Sequence, residues 1–549
     1  MVVREPKVWR AARPRVARVV HGVKPGIARV TRAVKPGAAR AAQVVKPGVV
    51  RVTSAVTARS SQLARSTKKL TTLQFTAGAA TLGLVFSAGA VAAAGPWDSS
   101  GQRTAERDWA ASRDGRGGAD HGRNSGTSSG TAGALKPAPS APSVLAGLGA
   151  TAGADTTPES AALAAALDPY LNSPVLGPRR AAAVVDVETG ERLYSQNADE
   201  ALTPASTTKI ATAVAALSAL GPDHRVETRA VLDPDSAEVV LVGGGDPTLT
   251  AHKDTGGYAS LRTLADRTAA ALDKRHLNEI TLTYDTSLYE GPEQHTIGVN
   301  PNLALVVPLM ADEGRLDDSS SGSADRDPDP AAAATAKFAD LLEDRGIKAR
   351  TGGSAEAAKN AKELAAVSSP PLSTLVERML TESDNDIAEA LARQIALATG
   401  EAPSFEGGAA AIRKELRKLE VPLDGVEFAD GSGLSRGNRL TPALLTTLLA
   451  KSAAPSHPEL RPVLTGLPVA GFTGTLRTRY ADDATGTGLV RAKTGTLSNV
   501  NTLAGTVVDA DGRLLAFAFL ATETDTANTD PAKKALTDAT STLATCGCR

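Results

Sequence analysis

A long uncharged segment most constrains what this chain can form, because it divides 549 residues into two parts of opposite charge. The segment covers residues 70–96, with two lysines directly before it and Asp98 after it. Residues 1–69 contain 17 Lys or Arg and one acidic residue, whereas the remainder contains 43 basic and 59 acidic residues. The segment is long enough to span a bilayer. Since positive charge stays inside, we expect a cytoplasmic tail, a transmembrane anchor and an exported body.

The apolar segment also has a second interpretation, as a cleaved signal peptide. The small residues at 92–94 fit a cleavage site, although a long basic stretch before the segment is unusual for a signal sequence and favours a retained anchor. Both interpretations export the rest of the chain. The basic tail repeats an 11-residue unit with Val-Lys-Pro-Gly and is predicted to be disordered, with anionic lipid, nucleic acid or another cytoplasmic component as a possible partner. Residues 97–160 are predicted to be a flexible extracytoplasmic linker.

The folded body is predicted over residues 161–549, with strands at both ends and helices between them. Two strands flank the turn at Thr189-Gly190, and two more flank Asp511-Gly512. The intervening part contains a helix ended by Gly221-Pro222 and a helical stretch that begins near Leu372. A last helix is predicted from about Pro531. Because adjacent hairpins pair antiparallel, we expect an α/β fold whose antiparallel sheet joins the two ends of the domain.

Ser206 and Lys209 form the first candidate catalytic pair. They are three positions apart, so they share one face of the predicted helix, and Ser206 lies at the amino end, where the helix dipole favours negative charge. A serine needs a base to become a nucleophile, and a lysine that has lost its proton can serve. The pair alone is a weak signal, since two ordinary helix residues would have the same spacing.

Two later motifs could complete a site with this pair. Ser383-Asp384-Asn385 suits either a helix N-cap or a proton relay beside a substrate amide. The other motif starts a strand and consists of Lys493, Thr494, Gly495 and Thr496. We expect Gly495 to let substrate backbone lie along the strand, and Lys493 and Thr496 to attract a carboxylate. Lys493 is also expected to lower the pKa of Lys209 by its like charge.

The order S-x-x-K, S-D-N and K-T-G is the signature of penicillin-binding proteins and class A β-lactamases. Three further stretches, LVGGGDPTL at 241–249, DGSGLSRGNRLTP at 430–442 and FTGTLRTRY at 472–480, narrow the resemblance. Over about residues 165–545 the chain resembles the low-molecular-mass class C penicillin-binding proteins, the D-alanyl-D-alanine carboxypeptidase/endopeptidase family. The resemblance implies a serine β-lactamase/transpeptidase-like fold with an all-helical subdomain. It also implies a smaller inserted domain between the first two motifs, at about 222–365.

The resemblance implies a role for each motif residue. Ser206 would form the acyl-enzyme, Lys209 would be the base, Ser383 would relay a proton, and Asn385 would hold Lys209 and the substrate amide. The edge strand would contribute a catalytic Lys493 and a substrate-binding set of Thr494, Gly495 and Thr496. The backbone N–H groups of Ser206 and Thr496 would form the oxyanion hole. The substrates would be peptidoglycan stem peptides, β-lactams would also bind, and neither cofactor nor metal is expected.

Several alternatives remain open at this stage. The scaffold also suits a β-lactamase or esterase, but neither Glu420 nor Glu427 has the asparagine four residues later that a class A β-lactamase would need. A D,D-endopeptidase is a further alternative, although the 177-residue gap between Ser206 and Ser383 is shorter than we expect of the family, so the insertion is expected to be trimmed. A non-enzymatic binding module is disfavoured by the three intact motifs.

Three other features are expected to be peripheral to the chemistry. Ser432, within Asp-Gly-Ser-Gly, lacks the G-x-S-x-G pattern of a nucleophile elbow and is expected to border the cleft. Five aspartates between Asp317 and Asp329 miss the order of a calcium loop and are expected to be solvated. Cys546 and Cys548 are separated by one residue, where a mutual bridge would be strained, so we expect them to be free or loosely paired.

Overall fold

The structure, a computed structural model, describes residues 160–480 and 485–546. The predicted basic tail, the apolar segment at 70–96 and nearly all of the predicted linker lie outside these residues. Ser160, the last residue of that linker, already begins the first helix. Across the described part, no helix combines the length and the apolar composition that a membrane crossing requires.

Ten strands occur in the described residues: β1 Arg179–Asp186, β2 Arg192–Gln196, β3 Glu227–Leu232, β4 Glu238–Val242, β5 Glu279–Asp285, β6 Lys348–Ser354, β7 Lys362–Ser368, β8 Val490–Leu497, β9 Val500–Val508 and β10 Leu514–Thr522. The α-helices of the same part are α1 Ser160–Leu171, α2 Thr208–Leu220, α3 Leu261–Asp273, α4 Pro330–Glu343, α5 Leu372–Glu382, α6 Asn385–Thr399, α7 Phe405–Lys418, α8 Pro442–Ala453, α9 Arg461–Thr465 and α10 Asp530–Thr545. Short 3₁₀ turns lie at Pro174–Leu176, Ala205–Thr207, Asp312–Gly314, Pro458–Leu460 and Gly474–Leu476.

A five-stranded antiparallel sheet joins the two ends of the body, in the order β2-β1-β10-β9-β8. Strand β1 pairs with β10, with Val184 opposite Phe517. Because successive side chains point to opposite faces, Phe517 and Phe519 pack with α1 and α10 while Ala516 and Ala518 pack with the helical part. Both faces are therefore covered, which explains the nearly continuous apolar run of this strand. The predicted α/β fold with an antiparallel sheet is confirmed.

A cluster of helices covers the inner face of this sheet. Helix α2 is surrounded by α6, α7 and α8, and its side chains from Thr208 to Leu217 are buried. Its alanine-rich sequence suits this position, since small side chains let neighbouring helices approach closely. The helices and the inner sheet face share one apolar core, which holds the first two motifs against the third.

A second sheet is formed by residues between the first two motifs. Its order is β6-β5-β4-β3-β7, with parallel pairs β4/β5 and β5/β6 and antiparallel pairs β3/β4 and β3/β7. Helices α3 and α4 pack on it around Phe338, Leu264 and Leu282, which are fully buried. This sheet and its helices form a smaller unit with its own core, so the predicted fold class with an inserted domain is confirmed. The boundary at about 222–365 stays a prediction.

The helical stretch that begins near Leu372 is interrupted at the motif that the sequence also offered as a helix N-cap. Helix α5 ends at Glu382, Ser383 adopts left-handed backbone angles with φ of 61°, and α6 begins at Asn385. Asp384 caps α6, because its side chain accepts a hydrogen bond from the N–H of Ile387. Of the two states expected for Cys546, free or paired, the structure has the paired one, since Cys546 is disulfide-bonded.

Candidate active site

Ser206 lies in a tight turn that presents it at the amino end of α2. The turn is the 3₁₀ segment Ala205–Thr207, in which Ala205 has φ of 49°. Two hydroxyl groups of the turn bond back to its own carbonyls: Thr207 Oγ1 donates to Pro204 O at 2.7 Å, and Thr208 Oγ1 donates to Ala205 O at 2.9 Å. These bonds fix the turn, so the half-buried Ser206 is held at the positive end of the helix dipole.

Lys209 reaches Ser206 from one turn further along α2. Its Nζ lies 3.2 Å from Ser206 Oγ and donates to Asn385 Oδ1 and to the carbonyl oxygen of Ser432, each at 2.7 Å. The side chain is fully buried. The structure thus brings the first motif together with Asn385 of the second. Ser432 contributes its backbone carbonyl, in agreement with a place beside the cleft rather than as a nucleophile.

The break between α5 and α6 points Ser383 and Asn385 into the site. Lys493 Nζ donates to Ser383 Oγ at 2.7 Å and to the carbonyl oxygen of Thr494 at 2.9 Å, so the third motif contacts the second. Asn385 Nδ2 donates to the carbonyl oxygen of Asn302 at 2.8 Å. Asp384 meanwhile caps the helix. The N-cap is therefore confirmed for Asp384, its two neighbours face the site, and the proton relay stays a prediction.

Burial sets the protonation of the two lysines. Burial lowers the pKa of Lys209 to about 8, while the buried carboxylates of Asp430 and Glu389 oppose this shift. Burial, followed by the charge of Lys209, lowers the pKa of Lys493 well below its usual value. Burial is thus the main cause for both lysines, and their like charges interact. The effect of the Lys493 charge on the pKa of Lys209 stays a prediction.

Gly495 makes room for the serine turn. A Cβ at this position would overlap Thr502 Oγ1 and lie 2.7 Å from Pro204 O, the carbonyl that begins the turn of Ser206. Strand β8 therefore approaches the nucleophile so closely that only a hydrogen atom fits between them. The close packing on this side of Gly495 gives the glycine a structural role, and its expected role toward a substrate backbone stays a prediction.

The two threonines of the third motif differ in their surroundings. Thr496 lines a cleft of about 280 Å³ together with Ser206, Ser383 and Asn385. Thr494 donates from Oγ1 to Thr475 Oγ1 at 3.0 Å and lines a neighbouring cleft, which also reaches Thr496. Thr496 is thus placed to contact a substrate bound at Ser206. Thr494 stands at the side of the strand that faces the neighbouring cleft.

The inserted part closes one side of the cleft, and sequence reasoning missed its contribution. Arg326 Nη2 lies 3.0 Å from Asp386 Oδ2 in a buried ion pair, and the N–H of Ala304 donates to Asp386 Oδ1 at 2.9 Å. Together with the bond from Asn385 to Asn302, these contacts hold the first turn of α6. No local pattern could have indicated them, since the partners are about 60 to 80 positions apart in the sequence.

Carboxyl groups also cluster beneath the second motif. Glu313, Asp384 and Asp386 lie within reach of one another, and burial followed by the charge of Asp384 raises the pKa of Glu313 to about 9. Arg378 contacts both Glu313 and Asp384, and Arg315 Nε donates to Glu313 at 2.8 Å. Guanidinium groups thus already provide the positive charge that a metal ion would bring to this cluster.

The two glutamates considered as water-activating residues of a β-lactamase do not line the cleft at Ser206. Glu420 and Glu427 are exposed, and neither belongs to the residues that line the cleft with Ser206. In the described part of the chain, therefore, neither candidate is in position to activate a deacylating water at Ser206.

Comparison with known proteins agrees with this geometry. The D-Ala-D-Ala carboxypeptidase 3 (S13) family matches residues 163–302 and 318–543. A carboxypeptidase of Mycobacterium tuberculosis is 36% identical over 403 residues, which cover 70% of this chain and 85% of that protein. A D-alanyl-D-alanine carboxypeptidase of Actinomadura sp. is 29% identical over 451 residues, covering 68% of this chain and 82% of that protein.

A solved structure shows the same fold. Penicillin binding protein 4 from Haemophilus influenzae superimposes with a TM-score of 0.56 at 21% identity, over 70% of this chain and 99% of that chain. The family match spans most of the described residues, including all three motifs. The chain therefore belongs to the D-Ala-D-Ala carboxypeptidase 3 (S13) family.

Proposed function

We propose that this serine-type D-Ala-D-Ala carboxypeptidase cuts peptidoglycan stem peptides through an acyl-enzyme on Ser206. The observation that carries the proposal is the placement of Lys209 Nζ, 3.2 Å from Ser206 Oγ and bonded to two carbonyl-type acceptors. A pKa of about 8 leaves part of the Lys209 population neutral near pH 7. A neutral amine at this distance can remove the serine proton.

The reaction begins when Ser206 Oγ attacks the carbonyl carbon of the penultimate D-alanine. The hydroxyl proton passes to Lys209, and the negative charge that develops on the carbonyl oxygen is placed near the N–H groups of Ser206 and Thr496. When the C–N bond breaks, the leaving nitrogen receives a proton through the Ser383 hydroxyl, which Lys493 holds at 2.7 Å. Water then attacks the ester and restores the Ser206 hydroxyl as the shortened peptide leaves.

A β-lactam would follow the first half of the same route. Its ring amide is attacked by Ser206, and the nitrogen that is released stays attached to the acyl group. We expect mass spectrometry after incubation with penicillin to find one adduct, on the peptide that contains Ser206. The Ser206→Ala variant should fold and carry no adduct. An adduct on another residue, or none on the wild-type protein, would reject the nucleophile.

We further propose that the catalytic body lies outside the cytoplasmic membrane, anchored by residues 70–96, or released if that segment is cleaved. The proposal is supported by the charge difference across this segment and by a substrate that lies outside the membrane. The basic tail would then face anionic lipid or another cytoplasmic partner. Fractionation and protease treatment of intact cells should find the body with the membrane and accessible from outside. Recovery in the cytosol would contradict this placement.

A further inference from the structure

We propose that Glu389 is a positioning residue that orients Lys209 through the backbone of Ser432. Glu389 Oε1 accepts the N–H of Ser432 at 2.8 Å, and Oε2 accepts the N–H of Gly431 at 3.3 Å. The carbonyl oxygen of Ser432 in turn accepts a hydrogen bond from Lys209 Nζ at 2.7 Å. Glu389 thus acts on the base across the backbone of one residue, without touching the substrate. The inference rests on the proposed function, because it names the residue that holds Lys209, the base of that reaction, in place.

The number of acceptors around Lys209 explains why this support matters. A neutral amine has two N–H bonds and one lone pair, whereas the ammonium has three N–H bonds and no lone pair. Asn385 Oδ1 and Ser432 O accept the two N–H bonds, each at 2.7 Å. The lone pair is then left for the remaining neighbour, Ser206 Oγ at 3.2 Å. If the Ser432 carbonyl moved, the amine of Lys209 could rotate, and its lone pair would no longer point at Ser206 Oγ.

One helix supplies the first acceptor and holds the second. Asn385 and Glu389 are four residues apart on α6, so they share a face of the helix. Asn385 contacts Lys209 directly, and Glu389 contacts it through the Ser432 peptide. Glu389 is fully buried, so its bonds to the backbone are shielded from water. A carboxyl in this position is costly to bury unless its oxygens find donors, and here backbone N–H groups supply them.

The segment that Glu389 holds is tightly enclosed. A Cβ on Gly431 would lie 2.6 Å from Ala388 O of α6, and Gly433, with φ of 84°, packs against Ala205 of the serine turn. Thr212 Oγ1 of α2 donates to the Gly431 carbonyl at 2.6 Å. The segment therefore lies between α6 and the turn of Ser206, where a small displacement would reach the reacting atoms.

A second buried carboxylate, within 4.8 Å of that of Glu389, also holds this loop. Asp430 accepts hydrogen bonds from the N–H of Gly433 at 2.7 Å and from Asn438 Nδ2 at 2.7 Å, and His295 Nε2 lies 3.0 Å from it. Asp430 thus stabilises the Asp-Gly-Ser-Gly loop by hydrogen bonds within the loop, whereas Glu389 binds the loop to α6. Loss of Glu389 should leave the loop folded but release the Ser432 peptide from the helix.

The test uses the full-length protein and a tripeptide that ends in D-Ala-D-Ala. Glu389→Leu keeps the size of the side chain and removes both acceptors. We expect kcat, and the rate of acylation by penicillin, to fall roughly 10- to 100-fold while KM stays within about twofold. Glu389→Gln, which keeps one acceptor for the N–H of Ser432, should recover most of the rate. Glu415→Leu is the control, because it removes another buried carboxyl, on α7, that does not contact the Ser432 peptide.

The outcomes separate this inference from the proposed function. A folded Glu389→Leu variant with the wild-type acylation rate would overturn the inference alone, as would an equal loss in Glu415→Leu. A wild-type protein without acylation would instead overturn the proposed function. If Glu389→Leu does not fold, Thr212→Val tests the same segment, since it removes the donor to the Gly431 carbonyl. That variant should lower kcat about threefold or more without a change in KM, and an unchanged kcat would count against the inference.

Discussion

Replacing Lys209 by methionine is expected to slow the acylation of Ser206 by penicillin about 10²- to 10⁴-fold. Methionine is similar in length and suits a buried site, so the variant should fold, but it has no basic nitrogen to receive the serine proton. It also leaves Asn385 Oδ1 and Ser432 O without the donor that satisfies both of them. The measurement is the rate of adduct formation, followed by mass spectrometry or by a fluorescent penicillin.

The pH dependence supplies a second test of the same residue. Burial lowers the pKa of Lys209 from 10.5 to about 8, so the neutral fraction, and with it the wild-type rate, should rise with pH and level off above this value. The methionine variant should lack this rise. Lys414→Met is the control, since Lys414 forms an exposed ion pair with Glu401, and its loss should leave the rate unchanged. Wild-type rates in Lys209→Met would remove Lys209 from the role of base.

Local sequence was sufficient to predict the central sheet and the motif residues that the structure brings together around Ser206. Hairpin turns at Thr189-Gly190 and Asp511-Gly512 indicate antiparallel strands, because glycine accepts the backbone angles that such turns need. The spacing of Ser206 and Lys209 places them on one helix face whatever the rest of the chain does. The order of the three motifs then predicted that the second and third would join this pair, since it matched the signature of a known family.

Contacts between distant segments could not be predicted in this way. The bonds from Glu389 to Ser432 and from Arg326 to Asp386 depend on how α6 packs, and neither residue has a local pattern of its own. Desolvation is the largest cause of the lowered pKa of Lys209 and Lys493, and burial is not visible in a sequence. The packing of Gly495 against the serine turn could not be predicted either, because Ser206 lies 289 positions earlier in the chain.

A second glycine offers the sharpest test of how closely the serine turn is packed. Gly433 has φ of 84°, and a Cβ there would overlap the carbonyl oxygen of Ala205 and lie 2.9 Å from Thr208 Oγ1. Gly433→Ala should therefore lower the free energy of unfolding by about 3 to 5 kcal/mol, of which about 1 to 2 kcal/mol is the cost of a left-handed alanine and the rest is overpacking. The measurement is urea unfolding of the purified protein.

Gly512 separates these two contributions. It has nearly the same φ, 83°, but a Cβ there would meet nothing within 4 Å. Gly512→Ala should therefore lower the free energy of unfolding only by the cost of a left-handed alanine, about 1 to 2 kcal/mol. It should keep the wild-type rate of acylation. Gly433→Ala should in addition slow acylation roughly tenfold or more, because relief of the overlap must shift the backbone that carries Ser206. Equal losses of stability in the two variants, with equal acylation rates, would contradict this prediction. They would show that the backbone around Gly433 can move away from an added Cβ, and that the positions of Ser206, Lys209 and Ser432 do not depend on close packing there.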